Sequence, residues 1–167
     1  NIRQRIVERL APAFPTGDEE LDRETGRVLA MLTANSPGLL ARVADQWTNE
    51  SLPEDDIHYL QIAARLAEAR TTATRRLIAS ALVSLQYEMF ALKRTASRHW
   101  PKHVAETLVR LMEHDPELGD AISAAEGFGL ADHALLARQL KSNDQKFQAA
   151  EKLLEAETWT PELVSFV

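Results

Sequence analysis

Apolar residues recur along this chain at the three- and four-residue steps of an α-helix, with few runs of the β-branched residues that mark strands. Leu21, Val28, Leu29 and Leu32 fall on one helical face, as do Val104, Leu108, Leu111 and Met112, so each of these helices is expected to bury a single stripe. Two stripes lie side by side in the next segment: Ile57, Leu60, Ala64 and Ala67 make one, and Tyr59, Ile62, Leu66 and Ala69 the other. Such a helix is expected to be covered on most sides. Leu77, Ile78, Leu82, Leu85, Met89, Phe90 and Leu92 then predict a helix of roughly 22 residues, about 33 Å long.

Proline punctuates the pattern. Ser36-Pro37, Asp115-Pro116 and Thr160-Pro161 each place a capping side chain before a residue suited to the first helical position. Thr16 with Glu19 and Ser51 with Glu54 have capping-box spacing, with Asp18 a competitor for Thr16. These signals predict about nine or ten helices, near 2–10, 18–33, 37–48, 53–70, 72–95, 101–114, 116–125, 130–141, 143–156 and 161–166, joined by short turns. The predicted fold is all-α, an irregular HEAT-like stack of antiparallel helices forming one domain over residues 1–167. No exact internal repeat supports a regular solenoid.

Composition narrows the function classes. With 45% hydrophobic and 26% charged residues the chain has ordinary globular make-up, and its 167 residues suffice for one core. The absence of cysteine excludes disulfides, thiolate metal sites and a cysteine nucleophile. No apolar run approaches the roughly 18 residues of a membrane span. The chain begins with Asn and its first residues lack the apolar core of a signal peptide, so it is expected to be a piece of a longer protein.

The stretches "FPTGDEELDRETGRVLAML", "EDDIHYLQIAARLAEAR", "HWPKHVAETLVRLMEHDPEL", "GFGLADHALLARQL" and "WTPELV" together resemble the helical, HEAT-like segment of large exported bacterial proteins described as membrane-bound dehydrogenases. Proteins of that family join a β-propeller-like domain to a terminal haem-binding domain with a CxxCH motif. The resemblance spans nearly the whole chain and implies a spacer or docking domain in a periplasmic or cell-envelope protein. This chain has no CxxCH, so neither haem nor dehydrogenase chemistry transfers to any of its residues.

Candidate chemistry is sparse. His99 and His103 stand four apart, the spacing of a shared metal on one helix face, but Pro101 between them predicts a helix start that leaves His99 outside it. His103 continues a polar row with Glu106, Arg110 and Glu113 and is expected to face solvent. Trp100, which cannot cap, is expected to pack beneath the start of its helix, and Trp159 to do likewise, stapled to Val164. His58, Gln61, Arg65 and Glu68 form a narrow polar row on an otherwise apolar helix, either an internally bonded solvated strip or a binding face. His133 has Asp132 beside it and no nucleophile nearby.

Charge gives the remaining lead. Residues 65 to 110 hold nine basic side chains against three acidic ones, in a chain of net charge −6. This basic belt could bind an anionic polymer, nucleic acid or sulfated glycan, or an acidic partner, through Arg75, Arg76, Lys93, Arg94, Arg98 and Lys102. Ion pairing with acidic flanks is the competing use. The sequence thus predicts a non-enzymatic scaffold or protein-interaction domain that contacts other domains of its parent chain or a protein partner. No catalytic residue, cofactor or metal is expected, and the possible interaction surface comprises His58, Gln61, Arg65 and the six basic residues just named.

Overall fold

The computed structural model describes residues 1–48, 51–91 and 98–167. Among them the fold is all-α, with ten α-helices, two 3-10 turns and no strand. The helices are α1 (Ile2–Leu10), α2 (Glu19–Met31), α3 (Leu39–Ala44), α4 (Pro53–Ala63), α5 (Thr72–Ala91), α6 (Trp100–His114), α7 (Leu118–Ala124), α8 (Ala134–Ala137), α9 (Asn143–Leu153) and α10 (Pro161–Val164). The 3-10 turns, Ala11–Ala13 and Ala131–His133, follow α1 and precede α8. Leu92, Lys93 and Arg94 lie outside the described residues, as does the side chain of Phe90.

Packing runs along the chain. α2 packs on α1 and α4; α4 also meets α3, α5 and α6; α5 meets α7; and α8 joins α6, α9 and α10. The core is aliphatic, with Leu29, Leu60, Leu82, Leu85, Leu108 and Leu111 all buried. Each such leucine contributes about 1.5–3 kcal/mol relative to exposure. The α6 stripe of Val104, Leu108, Leu111 and Met112 is buried as the periodicity predicts.

On α2 the buried stripe is rotated from its predicted position. Asp22, Thr25, Gly26, Leu29 and Ala30 face inward, while Leu21 and Val28 are exposed. The cause is a close approach through Gly26: a Cβ there would stand 2.7 Å from Ile62 Cδ1 on α4. Small residues, not the largest apolar ones, set the contact.

Several helix ends also differ from expectation because their polar groups find partners elsewhere. Thr160 caps α10, and Asp18 rather than Thr16 caps α2, accepting the Leu21 amide at 2.9 Å. Asp22 takes the Thr16 amide, Thr16 hydroxyl and Gly17 amide at 2.6, 2.9 and 3.1 Å, pinning the preceding loop. Ser36-Pro37-Gly38-Leu39 forms a turn closed by the Leu39 amide on the Ser36 carbonyl at 3.0 Å. Gly38 at φ +74° supplies the left-handed position that such a Pro-Gly turn requires. Ser36 therefore caps nothing. The start of α3 is held by Glu68, whose carboxylate accepts the Gly38 and Leu40 amides at 2.7 and 2.8 Å.

Helix α4 stops at Ala63 instead of running to residue 70, because the Arg70 guanidinium folds back onto the Ala63, Leu66 and Glu68 carbonyls at 2.7 to 2.8 Å. Ala67 and Ala69, predicted to be inside, are exposed as a result. The predicted helix 130–141 splits into the 3-10 turn and α8. Trp159 is not stapled under α10: it is 53% exposed, and Val164 is exposed too.

Asp115 closes α6 as its C-cap and does not N-cap the helix that follows. It is buried, and its carboxylate meets Arg75 Nε at 2.7 Å, while Arg75 Nη1 reaches Glu117 at 2.5 Å. This clamp ties α5 to the α6–α7 connection. Arg75→Ala is expected to destabilise by about 3 kcal/mol, since it leaves the Asp115 carboxylate buried without its partner. Urea denaturation checks this, and Asp115→Asn in the Arg75→Ala background is expected to recover part of the loss. Equal stability of Arg75→Ala and the native chain would show the pair to be energetically idle.

Candidate functional site

The predicted polar row of α4 divides among three tasks. His58 turns toward α2, with Nε2 3.4 Å from the Arg23 carbonyl and its ring edge-on to Tyr59 at 5.3 Å between centroids. Burial, and then the Arg23 guanidinium, hold its pKa below the ordinary histidine value. Arg23 itself pairs with Asp55. Glu68 is spent on α3. Gln61 and Arg65 remain, and with His103, Glu106, Thr107 and Arg110 of α6 they line a groove of about 280 Å³.

The described residues of the basic belt are divided between different grooves and contacts. Arg75 is consumed by the Asp115–Glu117 clamp on the α5–α7 side. Arg76 opens onto a separate groove of about 720 Å³ between α5 and α7, floored by Ala121, Ala124 and Ala125 and edged by Glu117, Asp120 and Glu126. Arg98 donates from Nε to His99 Nε2 at 3.0 Å, and Lys102 lies 3.7 Å from Glu106 along α6. Of the nine candidate positions, Gln61 and Arg65 share one groove, and Arg75 and Arg76 another.

His99 and His103 depart from the expected geometry. The chain already has a helical conformation at His99, the His103 amide donates to the His99 carbonyl at 3.0 Å, and the rings stack at 6.5 Å and 22°. Proline at the second position of α6 costs no hydrogen bond, so the turn extends back past it. The four-residue relation therefore exists in space. Among the described residues no group of three or more His, Cys, Asp or Glu side chains converges on a common point.

His133 is structural. Its Nδ1 accepts the Gly129 and Leu130 amides at 3.1 Å each, so the proton sits on Nε2, which donates to the Val83 carbonyl at 3.0 Å. The ring stacks on Phe128 at 5.2 Å and 11°. Burial keeps it neutral by lowering its pKa.

A second cluster went unread in the sequence. Asp56, 2% exposed, accepts the Ser51 hydroxyl at 2.6 Å and is hydrogen-bonded to Glu88 of α5. Both line a cavity of about 140 Å³ with Trp47, Thr48, Leu77, Ser80, Ala81 and Ser84. Among the described residues neither Trp47 Nε1 nor Glu88 Oε2 has a hydrogen-bond partner. The signal available in the sequence was Glu88, a lone carboxylate amid the apolar run of the fifth helix. Asp56 was hidden in "PEDD", where acidic residues ordinarily complement the helix dipole.

Burial, and then the adjoining Asp56, push Glu88 up to about 7, and burial raises Asp56 as well. Folded Glu88 thus keeps a proton that an unfolded glutamate releases near 4.5, and its contribution to stability, full below that value, is lost as pH rises through about 7. In metal-free buffer, Glu88→Gln is expected to be more stable than the native chain at pH 8 and to lose less stability between pH 5.5 and 8. Paired urea titrations at both pH values test this. A difference between the two proteins that does not change with pH would contradict it.

Comparison with known proteins finds no matching family model, no matching curated protein and no matching solved structure.

Proposed function

We propose that the chain is a non-enzymatic helical scaffold, a HEAT-like stack of antiparallel helices that positions neighbouring domains of a larger cell-envelope protein. The observation that carries this reading is exposed apolar surface on helices near both ends of the chain. On α2, Leu21 and Val28 lie seven residues apart and hence on one face, beside Met31, which is 71% exposed. On α9, Phe147 and Leu154 repeat that spacing, and Val164 and Trp159 are exposed at the adjoining α10. A stack of helices buries a continuous core between neighbours, and its terminal elements need either polar faces or further elements to cover them. Here the terminal faces are apolar, which favours covering. The resemblance to the helical segment of exported multidomain proteins points the same way.

The test is photo-crosslinking in the protein's own cells, with benzoylphenylalanine in place of Met31, of Phe147 and, as control, of exposed Glu113. Protein adducts at 31 and 147 and none at 113 are expected. Equal yields at all three positions, or none, would overturn the scaffold reading.

A second reading, an anion-binding module, is favoured by one observation. Arg65 and Arg110 face the same groove with His103, and neither arginine has an ion pair among the described residues. Salt-sensitive binding of heparin or single-stranded nucleic acid, lost on Arg65→Ala with Arg110→Ala, would support it. No binding at low salt would remove it.

A further inference from the structure

The Asp56–Glu88 cavity offers oxygen donors and little else. Its polar lining comprises two carboxyl groups, the hydroxyls of Thr48, Ser80 and Ser84, and the Trp47 indole. Trp47 comes from the segment that follows α3, Asp56 from α4 and Glu88 from α5. Asp56 and Glu88 are the two titrating groups in the lining, and among the described residues no Lys or Arg lines the cavity or acts on either carboxyl. Arg23 engages the neighbouring Asp55 instead. Two adjoining carboxylates with no counter-charge among the described residues call for neutralisation by a proton or by a cation.

Two further features concern the occupant. Among the described residues Glu88 Oε2 is an unpartnered acceptor, and Trp47, only 9% exposed, lines the cavity with an N–H that lacks an acceptor. An occupant must therefore carry positive charge toward the carboxyls and an oxygen toward the indole. A cation that retains part of its water shell supplies both. The volume of about 140 Å³ has room for about four water-sized ligands, at about 30 Å³ each. An all-oxygen donor set with two carboxylates suits a hard ion and gives no nitrogen or sulfur to a softer one.

We propose that this cavity binds one partly hydrated hard divalent cation, magnesium or calcium, through the Asp56 and Glu88 carboxylates, with Ser84 as a further oxygen donor. The proton shared by the two carboxyls leaves to solvent as the ion enters. The Trp47 N–H then donates to an oxygen of the ion's shell. Occupancy ties the segment after α3 to α4 and α5 and is coupled to pH by the displaced proton.

Isothermal titration of the metal-free chain with magnesium chloride or calcium chloride alone, at pH 8 and pH 6, tests the proposal. One saturable site at millimolar concentration or tighter is expected at pH 8, within the range of weak protein sites for these ions. Its affinity is expected to fall by about tenfold per pH unit where one proton must be displaced. Glu88→Gln, which removes the charge and keeps the shape, is expected to weaken binding by more than about tenfold, with helical circular dichroism unchanged. Since Asp56→Asn could compromise folding at a buried site, Ser84→Ala serves as the second variant and is expected to weaken binding without altering the melting curve of the metal-free protein. Absence of saturable binding of either metal overturns the proposal, as does binding that Glu88→Gln leaves intact or that pH does not change.

Discussion

Replacing His133 with alanine is expected to destabilise the chain by about 4 kcal/mol, the combined effect of a core cavity and lost buried hydrogen bonds. The ring is 0% exposed and makes three hydrogen bonds, accepting from Gly129 and Leu130 and donating to Val83 fifty residues away. Removing it empties space against Phe128 and leaves the Val83 carbonyl buried without its donor. Chemical denaturation measures the loss. His133→Phe restores most of the volume but none of the hydrogen bonds, so about half of the destabilisation should remain. If His133→Phe is as stable as the native chain, the polar network is not what holds the Gly129–His133 turn against α5. If His133→Ala is also unaffected, the packing claim fails with it. The pH dependence has a defined sign. Because burial lowers the pKa of His133, an unfolded histidine takes up a proton that the folded one resists, and stability attributable to it falls as pH drops below about 6.5. That runs opposite to the Glu88 contribution and separates the two in a pH series.

Trp100→Ala is expected to cost a similar amount, about 4 kcal/mol, in line with truncation of large buried aromatics. Trp100 opens α6 and is 8% exposed, in a helix that packs on α4, α7 and α8. Its Nε1 has no hydrogen-bond partner among the described residues. The stabilisation therefore comes from apolar area and contact rather than from the indole N–H, and Trp100→Phe should cost less than about 1.5 kcal/mol, as near-isosteric core changes do. Thermal unfolding of both variants distinguishes area from hydrogen bonding. A phenylalanine variant as unstable as the alanine one would mean that the N–H is used. An alanine variant within about 0.5 kcal/mol of native would mean that the ring is dispensable to the core.

The local sequence was enough to determine the helical class, the rough number of helices, the inward stripe of α6 and the burial of Trp100. Each of these follows from information within a few residues: the 3.6-residue period of Val104, Leu108, Leu111 and Met112, Thr160 before Pro161, a non-capping aromatic before Pro101. The tertiary structure decided what polar groups do at helix ends and in the core, because their partners are remote in sequence. Glu68 reads as one more member of a polar row, yet it caps α3 across 30 residues. Asp115 reads as a cap and is the buried partner of Arg75, 40 residues away. Asp56 and Glu88 stand on different helices, and their proximity depends on how α4 crosses α5. The rotation of α2 is of the same kind. Periodicity counts apolar positions, but the contact plane was chosen by where a backbone could come closest, at Gly26 against Ile62. Helix formation is a short-range balance of propensity and capping, whereas the pairing of buried charges depends on packing that no single window of the sequence contains.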